Sequence, residues 1–238
     1  MRRLVVAALV TTVLALTTAC SSWPFDPNPR PDDGVVDQQD DDREEPVTVE
    51  RGTADDATLS LTGDASSITL GTDAPAGDLL EVSATGPDAR PGVEQSDGTQ
   101  VVALAGGAAV VRLADDVAWT VDLAAGAETV DADLSATSVR GVALDAGART
   151  IELTLPRPDG SVPVEQRAGA DHLVLHLPDG TGARVTVTSG AGTVQIDGET
   201  RQGIGAGTVL TTDGFDEGGD HYEITVAGGL GNLTIDRV

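Results

Sequence analysis

Lysine is absent from this chain of 238 residues, and all 14 of its basic residues are arginine. They stand against 39 acidic residues, which gives a formal net charge of −25 at pH 7. Proteins that bind nucleic acids need basic patches that neutralise phosphates. We therefore expect no nucleic-acid partner. Attraction of divalent cations by the acidic surface gives one alternative activity, weak cation binding.

Aromatic residues make up only 2% of the sequence, and Cys20 is its one cysteine. Globular cores commonly depend on large aromatic side chains for buried area, whereas thin stacked coils can be filled by Val, Leu, Ile and Ala. A lone cysteine excludes disulfides within the chain. Cysteine catalysis has no candidate besides Cys20, and no Gly-x-Ser-x-Gly motif indicates a serine hydrolase.

The longest apolar run covers residues 4–16, which is shorter than the roughly 20 residues of a spanning helix. Arg2 and Arg3 precede it and small residues follow, which is typical of a secretory signal peptide. Residues 17–20 read Thr-Thr-Ala-Cys and resemble the lipobox of bacterial lipoproteins. The resemblance implies a signal peptide over residues 1–19 and a lipid on Cys20. The protein would then be anchored on the extracytoplasmic face of the cell membrane. Ordinary cleavage near Ala19 is the alternative.

Residues 20–56 are rich in proline and acidic residues. Low hydrophobicity and repulsion between like charges oppose folding of such a segment, and proline keeps it extended. We predict a disordered tether over residues 20–56 and one folded domain over residues 57–238.

A motif of strand, small glycine corner, strand and polar turn recurs through the folded part of the sequence. Strand residues alternate between apolar and polar, as Ile151, Leu153 and Leu155 do with Glu152 and Thr154. The corner glycines are Gly63, Gly106, Gly126, Gly147, Gly169, Gly190 and Gly229. Most neighbouring corners are separated by about 21 residues, and the first and last separations are about twice that. A fixed period with two strands per unit is typical of stacked repeats.

The repeat predicts an all-β domain, a β-solenoid of about eight coils like a right-handed parallel β-helix. In that solenoid Gly147, Gly169 and Gly190 would occupy successive corners, and Leu153 and Leu175 would be inward neighbours. The alternative is an antiparallel β-sandwich of stacked hairpins, because Ala-Gly-Ala and Asp-Gly can both turn a hairpin. Such hairpins would pair residues 142–144 with residues 151–155.

Two segments carry a family resemblance: residues 183–198 (ARVTVTSGAGTVQIDG) and residues 222–236 (YEITVAGGLGNLTID). They are similar to the toast-rack and putative-adhesin families. These are bacterial envelope domains with the same sequence pattern of a strand, Gly-x-Gly and a second strand. The resemblance implies a β-helix-like domain at the cell envelope and assigns no catalytic residue. Some relatives regulate cell-wall stress signalling, so it also implies a link to envelope stress.

Candidate chemistry in the folded part is sparse. His172 and His176 lie on one outward strand face, about 13 Å apart, too far to share a metal; we expect them to be plain exposed residues. Residues 228–236 are similar to a calcium-binding nonapeptide but carry Leu233 where that motif needs Asp. The outward acids Glu152, Glu165 and Asp236 fall on different predicted coils with no arginine in matching phase.

These observations predict no catalytic site, no metal site and no cofactor. We expect a lipoprotein that presents a non-catalytic domain for adhesion, interaction or scaffolding. Its partners would be the membrane, through Cys20, and an envelope protein or polysaccharide. A carbohydrate-active enzyme on a β-helix fold is the alternative from another class, since so many acids offer carboxylate pairs.

Overall fold

The computed structural model describes residues 45–86, 89–96 and 98–238. Every regular element in these residues is a β-strand, so the all-β class is confirmed. Within the described part of the chain no helix is long and apolar enough to cross a membrane. The strands are β1 Val47–Glu50, β2 Asp56–Gly71, β3 Asp78–Thr85, β4 Gly92–Ser96, β5 Thr99–Ala105, β6 Ala108–Leu113, β7 Ala118–Asp133, β8 Ser138–Leu144, β9 Ala148–Thr154, β10 Ser161–Gln166, β11 Ala170–Leu177, β12 Gly182–Val187, β13 Ala191–Ile196, β14 Glu199–Ile204, β15 Thr208–Thr211, β16 His221–Val226 and β17 Leu230–Arg237.

Alternation of apolar and polar residues decides which side of each strand is buried. In β11, Leu173, Leu175 and Leu177 are fully buried, while the residues between them are partly exposed. Successive side chains of a strand point to opposite faces, so this pattern buries one face only. The scarcity of aromatic residues agrees with this core, which consists mainly of Leu, Val, Ile and Ala, with Trp119 and Tyr222 as its largest members.

Strands one period apart pair in parallel and in register. Val121 lies opposite Val142, which lies opposite Val164, at spacings of 21 and 22 residues. The second half of each unit repeats this pattern, because Leu173 lies opposite Ile151 and Leu175 opposite Leu153. Leu153 and Leu175 are both fully buried, so their prediction as inward neighbours is confirmed.

The parallel pairs form two rows of strands within one sheet, because β2 and β7 each run through both rows, and the inward apolar side chains of both rows form one core. We call the rows the first and the second row, and one strand segment from each makes a level. The first row runs β5, the start of β2, the start of β7, β8, β10, β16 and β12. The second row runs β6, the end of β2, the end of β7, β9, β11, β17 and β13. These are seven parallel levels in the described residues, where the sequence predicted about eight coils.

The levels do not follow chain order. β16 and β17 lie between β10–β11 and β12–β13. Ala148 donates a backbone hydrogen bond to Gly169, but Ala170 donates to Gly229, so Gly229 follows Gly169 in the stack. The prediction that Gly190 comes next is wrong. The physical reason is that β14 and β15 pair with the outer edges of β13 and β12, so the final segment meets these two strands at their inner edges.

Antiparallel pairs occur at the two ends of the stack. β4 pairs with β5, β3 with β6 and β1 with β3 at one end, and β15 pairs with β12 and β14 with β13 at the other. Between these ends, β8 and β9 pair with neighbouring levels in parallel rather than with each other. The hairpin sandwich is therefore wrong for the middle of the domain.

The start of the strand domain also differs from the prediction. β1 contains Val47 and Val49 and pairs with β3, although its residues belong to the segment 20–56 that the sequence assigned to the tether. The signal peptide 1–19, Cys20 and the tether up to residue 44 lie outside the described residues.

Candidate functional site

In each row, inward apolar residues of successive strands lie directly opposite one another and form a column. The columns of the two rows end in different residues at the β14–β15 end of the stack. In the first row Val164, Ile224 and Val185 lead to Leu210 of β15, which is buried. In the second row, Val194 of β13 lies opposite Arg201 of β14. Directly opposed residues share a face, so a charged side chain takes the position that apolar residues fill in the levels beneath.

Glu199 lies two residues before Arg201 on the same face of β14 and likewise lies opposite an apolar residue, Ile196. Glu199 and Arg201 form an exposed ion pair, with Arg201 Nη2 3.6 Å from Glu199 Oε2. Terminal units of stacked proteins need a polar outer side. The pair therefore gives the second row a polar cap.

A cavity of about 240 Å³ lies between these two row ends. Its apolar floor consists of Val194, Ile196 and Leu210. Its polar border consists of Asp197, Glu199, Arg201, Thr211 and Asp213. Five of these eight lining residues are polar or charged, so the cavity combines a small apolar floor with a mostly polar border. We take this end cavity as the candidate site.

Asp197 is a fixed negative charge at the border of the end cavity. Its backbone has a φ of 48°, and its carboxylate accepts hydrogen bonds from Arg237 Nε at 2.8 Å and from the Asp213 amide at 3.0 Å. Burial acts to raise the pKa of Asp197, but these hydrogen bonds and the arginine charge outweigh it and hold the pKa below its usual value. Asp197 therefore stays ionised at neutral pH.

A second polar group lies on the outer face of the second row. His176 Nε2 lies 2.9 Å from Glu152 Oε1, and His176 Nδ1 is in hydrogen-bond contact with the Asp236 carboxylate. Burial acts to lower the pKa of His176, but the two carboxylates outweigh it and raise the pKa above its usual value. The expectation that His176 is a plain exposed residue is therefore wrong, because it bridges three levels.

A third polar group lies on the outer face of the first row. Arg167 donates to Asp145 at 2.8 Å and also contacts Glu165, and Asp122 lies nearby on β7. Burial and the Asp145 charge raise the pKa of Asp122, against a hydrogen bond from Ser60 and the charge of Arg167. The sequence prediction that no arginine matches Glu165 is wrong.

The structure also describes the other two histidines and the nonapeptide-like segment. His172 Nδ1 lies 3.2 Å from Asn232 Nδ2. His221 is buried, with Nδ1 2.7 Å from the Gly219 carbonyl oxygen and Nε2 2.8 Å from Glu223 Oε1. Asp236, from the nonapeptide-like segment, contacts His176, and the described residues contain no group of three or more His, Cys, Asp or Glu placed to hold a metal. Cys20 lies outside them.

Sequence reasoning assigned Val194 and Ile196 to the repeat unit of Gly190, but it missed the end cavity because it gave Glu199, Arg201 and Leu210 no place beside that unit. The insertion over residues 203–220 interrupts the repeat, and this interruption was the available signal that the chain caps the stack there.

Comparison with known proteins shows a likeness of fold. No protein-family model and no curated protein matches this sequence. Among solved structures, the chain is similar to the crystal structure of a putative cell adhesion protein from Clostridium sporogenes, with a TM-score of 0.63 and 15% identity. The match covers 82% of this chain and 98% of the other.

Proposed function

We propose that this chain is a bacterial envelope lipoprotein whose strand domain is a right-handed β-solenoid that acts in adhesion or scaffolding without catalysis. The in-register parallel pairs at spacings of 21 and 22 residues support the solenoid. The lipobox-like residues before Cys20 support the anchor.

The observation that carries the proposal is the continuous stack itself. In-register stacking aligns outward side chains of seven levels, as in the contact between His176 and Asp236. Stacked repeat folds present such extended lateral surfaces to large partners. The similar solved structure bears the name of a putative cell adhesion protein, which favours the same use of the fold.

Membrane attachment is tested by fractionation of cells that produce the full chain. Cys20→Ala should release the protein into the medium or block its maturation, and it should abolish incorporation of a fatty-acid probe. Ser21→Ala keeps the cysteine and serves as the matched control. Unchanged fractionation of Cys20→Ala, with no labelling of the wild type, would contradict the lipid anchor.

Adhesion is tested by comparing cells that display the full chain with cells that display residues 1–44 alone. The full chain should increase retention of cells on surfaces coated with isolated envelope material, and the short chain should not. Equal retention of the two strains would contradict an adhesive domain while leaving the anchor untouched.

A carbohydrate-active enzyme is the second candidate, favoured by the raised pKa of Asp122 beside Asp145 and Arg167. Glycoside cleavage uses two neighbouring carboxyl groups, of which the general acid has a raised pKa. The full chain would then release reducing sugar from cell-wall polysaccharide, and Asp122→Asn would abolish the release. Absence of any release by the wild type would exclude this candidate for the polysaccharides tested.

A further inference from the structure

β15 is the outermost strand of the first row, and among the described residues only β12 pairs with it. The Thr212 amide donates to Ala183 O at 3.0 Å, and hydrogen-bonded positions alternate along an antiparallel pair. The backbone groups of Leu210 therefore face β12. The N–H and C=O groups of Val209 and Thr211 face away from it, which leaves an open hydrogen-bonding edge.

β15 is protected as an edge strand only by its short length of four residues. It carries no charged side chain and no proline, which are the other common ways to prevent further pairing. β15 reads Thr-Val-Leu-Thr, and Val209 is 54% exposed, although large apolar side chains in the described residues are otherwise mostly covered. The edge of β14 is different, because Glu199 and Arg201 place charges on its inward side.

The end cavity adjoins this open edge. A strand that bonds to Val209 and Thr211 would place one residue opposite Leu210, with its side chain on the inward side above the cavity floor. Sites for drug-sized ligands occupy about 300–1,000 Å³. The end cavity, at about 240 Å³, is smaller and suits a single apolar side chain.

We propose that β15 and the end cavity bind an extended segment of a partner protein by strand addition, with one apolar anchor residue and basic flanking residues. Backbone hydrogen bonds supply affinity in this mode and the side-chain pocket supplies specificity. Three carboxylates border the cavity, and two arginines pair with two of them: Arg237 with Asp197 and Arg201 with Glu199. One net negative charge remains at the border, and together with the chain's net charge of −25 it favours a positively charged segment.

Charge disfavours two other occupants. A second copy of this chain carries the same net charge of −25 and is repelled. The chain's own residues 20–44 are strongly acidic and are disfavoured for the same reason.

The inference rests on the proposed function in one respect, since it names the partner class of an interaction domain. Binding in solution is independent of anchoring and of cell retention. A failure of the strand-addition site is therefore distinguishable from a failure of adhesion.

The test uses the full chain, purified in mild detergent, and three synthetic peptides. The first alternates threonine and leucine and ends in arginines; the second has glutamates in place of the arginines; the third is the first peptide with N-methylated backbone amides. The first should bind measurably below about 1 mM, and the other two at least about tenfold more weakly. Amide NMR signals of Val209 and Thr211 should shift on binding.

Val209→Pro removes an outward amide that makes no bond to β12, and it should weaken binding of the first peptide at least about tenfold. Val209→Lys keeps the amide but adds a positive charge that repels the arginines of the first peptide. It serves as a second variant if the proline variant has a changed melting temperature. Gln95→Lys makes the same charge change on edge strand β4 and should leave affinity unchanged.

Three results would overturn the proposal: no binding of the first peptide at 1 mM, equal binding of the N-methylated peptide, or unchanged affinity of both Val209 variants. Self-association of the chain that Val209→Lys abolishes would also overturn it, because the occupant would then be a second copy.

Discussion

His176 lies directly opposite Asp236 on neighbouring parallel strands, β11 and β17, and its imidazole is in contact with the Asp236 carboxylate. On the other side the same ring lies 2.9 Å from Glu152 of β9. One side chain thus joins three levels, and one of these levels is the C-terminal segment that enters the stack out of chain order.

Because His176 contacts the carboxylates of Glu152 and Asp236, we expect its contribution to the free energy of unfolding to depend on pH. The folded-state pKa of His176 is raised, so its stabilising effect is fully present below the ordinary histidine pKa of about 6.5 and disappears as pH rises through the folded pKa. We expect His176→Ala to lower the free energy of unfolding by about 1 kcal/mol at pH 5.5 and by less at pH 8.5, as for other partly exposed ion pairs.

Urea unfolding at the two pH values measures this difference. His172→Ala is the matched control on the same strand, since the His172 ring contacts the neutral side chain of Asn232 and no carboxylate contact is recorded for it among the described residues. A loss for His176→Ala that is the same at both pH values would show that the bridge acts through packing and not through charge.

At Asp122 we expect the opposite effect: removal of its charge should raise the free energy of unfolding. Its pKa is raised by burial and by the Asp145 charge, and its Oδ1 is buried without a hydrogen-bond partner. A raised carboxyl pKa means that stability is present below the unfolded pKa and is lost as pH rises through the folded pKa. Asp122→Asn should therefore raise the free energy of unfolding by about 1 kcal/mol at pH 8.

The gap between wild type and Asp122→Asn should close near pH 4, which thermal melts across the pH range can follow. Asp131→Asn, at an exposed position of the same strand, provides the control and should change little at either pH. Destabilisation by Asp122→Asn at pH 8 would show that the ionised carboxylate is needed where it lies.

A charge placed at Leu153, in the apolar core, should strongly lower the free energy of unfolding. It is fully buried and lies opposite Leu175, so Leu153→Asp should cost several kcal/mol, against a total stability of about 5–15 kcal/mol for such a domain. Loss of the unfolding transition in circular dichroism is the expected result. Thr150→Asp, on the half-exposed side of the same strand, should retain a cooperative transition.

The sequence predicted the strand faces well because alternation is a local property. Leu153 and Leu175 could be assigned inward from their immediate neighbours and from the spacing of 22 residues. The order of the levels is not local. Nothing near Gly190 indicates that Gly229 takes the place beside Gly169, because that depends on which edges β14 and β15 cover.

The polar groups were missed for the same reason. The contact between His176 and Asp236 joins residues 60 positions apart, across a pairing that follows only from the order of levels. The interruption at residues 203–220 indicated a break in the repeat, but where the chain re-entered the stack depended on long-range pairing.

Gly228 and Gly229 offer the sharpest test of this order. A Cβ atom on Gly228 would overlap the carbonyl of Ala168, and the Gly228 amide already donates to Gln166 O at 3.0 Å. A Cβ atom on Gly229 would meet nothing within 4 Å, and this residue lies outside the left-handed backbone region. The two neighbours should therefore respond to alanine with opposite signs.

Gly228→Ala must push two corners apart and should cost about 1–3 kcal/mol or more, as overpacked sites do. Gly229→Ala should be neutral or stabilise by up to about 1 kcal/mol, because alanine reduces the entropy of the unfolded chain. Urea unfolding of the two variants measures both effects against one wild type. The overlap at Gly228 exists only if the corner of β16 and β17 lies against that of β10 and β11. Equal tolerance of alanine at both positions would therefore contradict the order of levels.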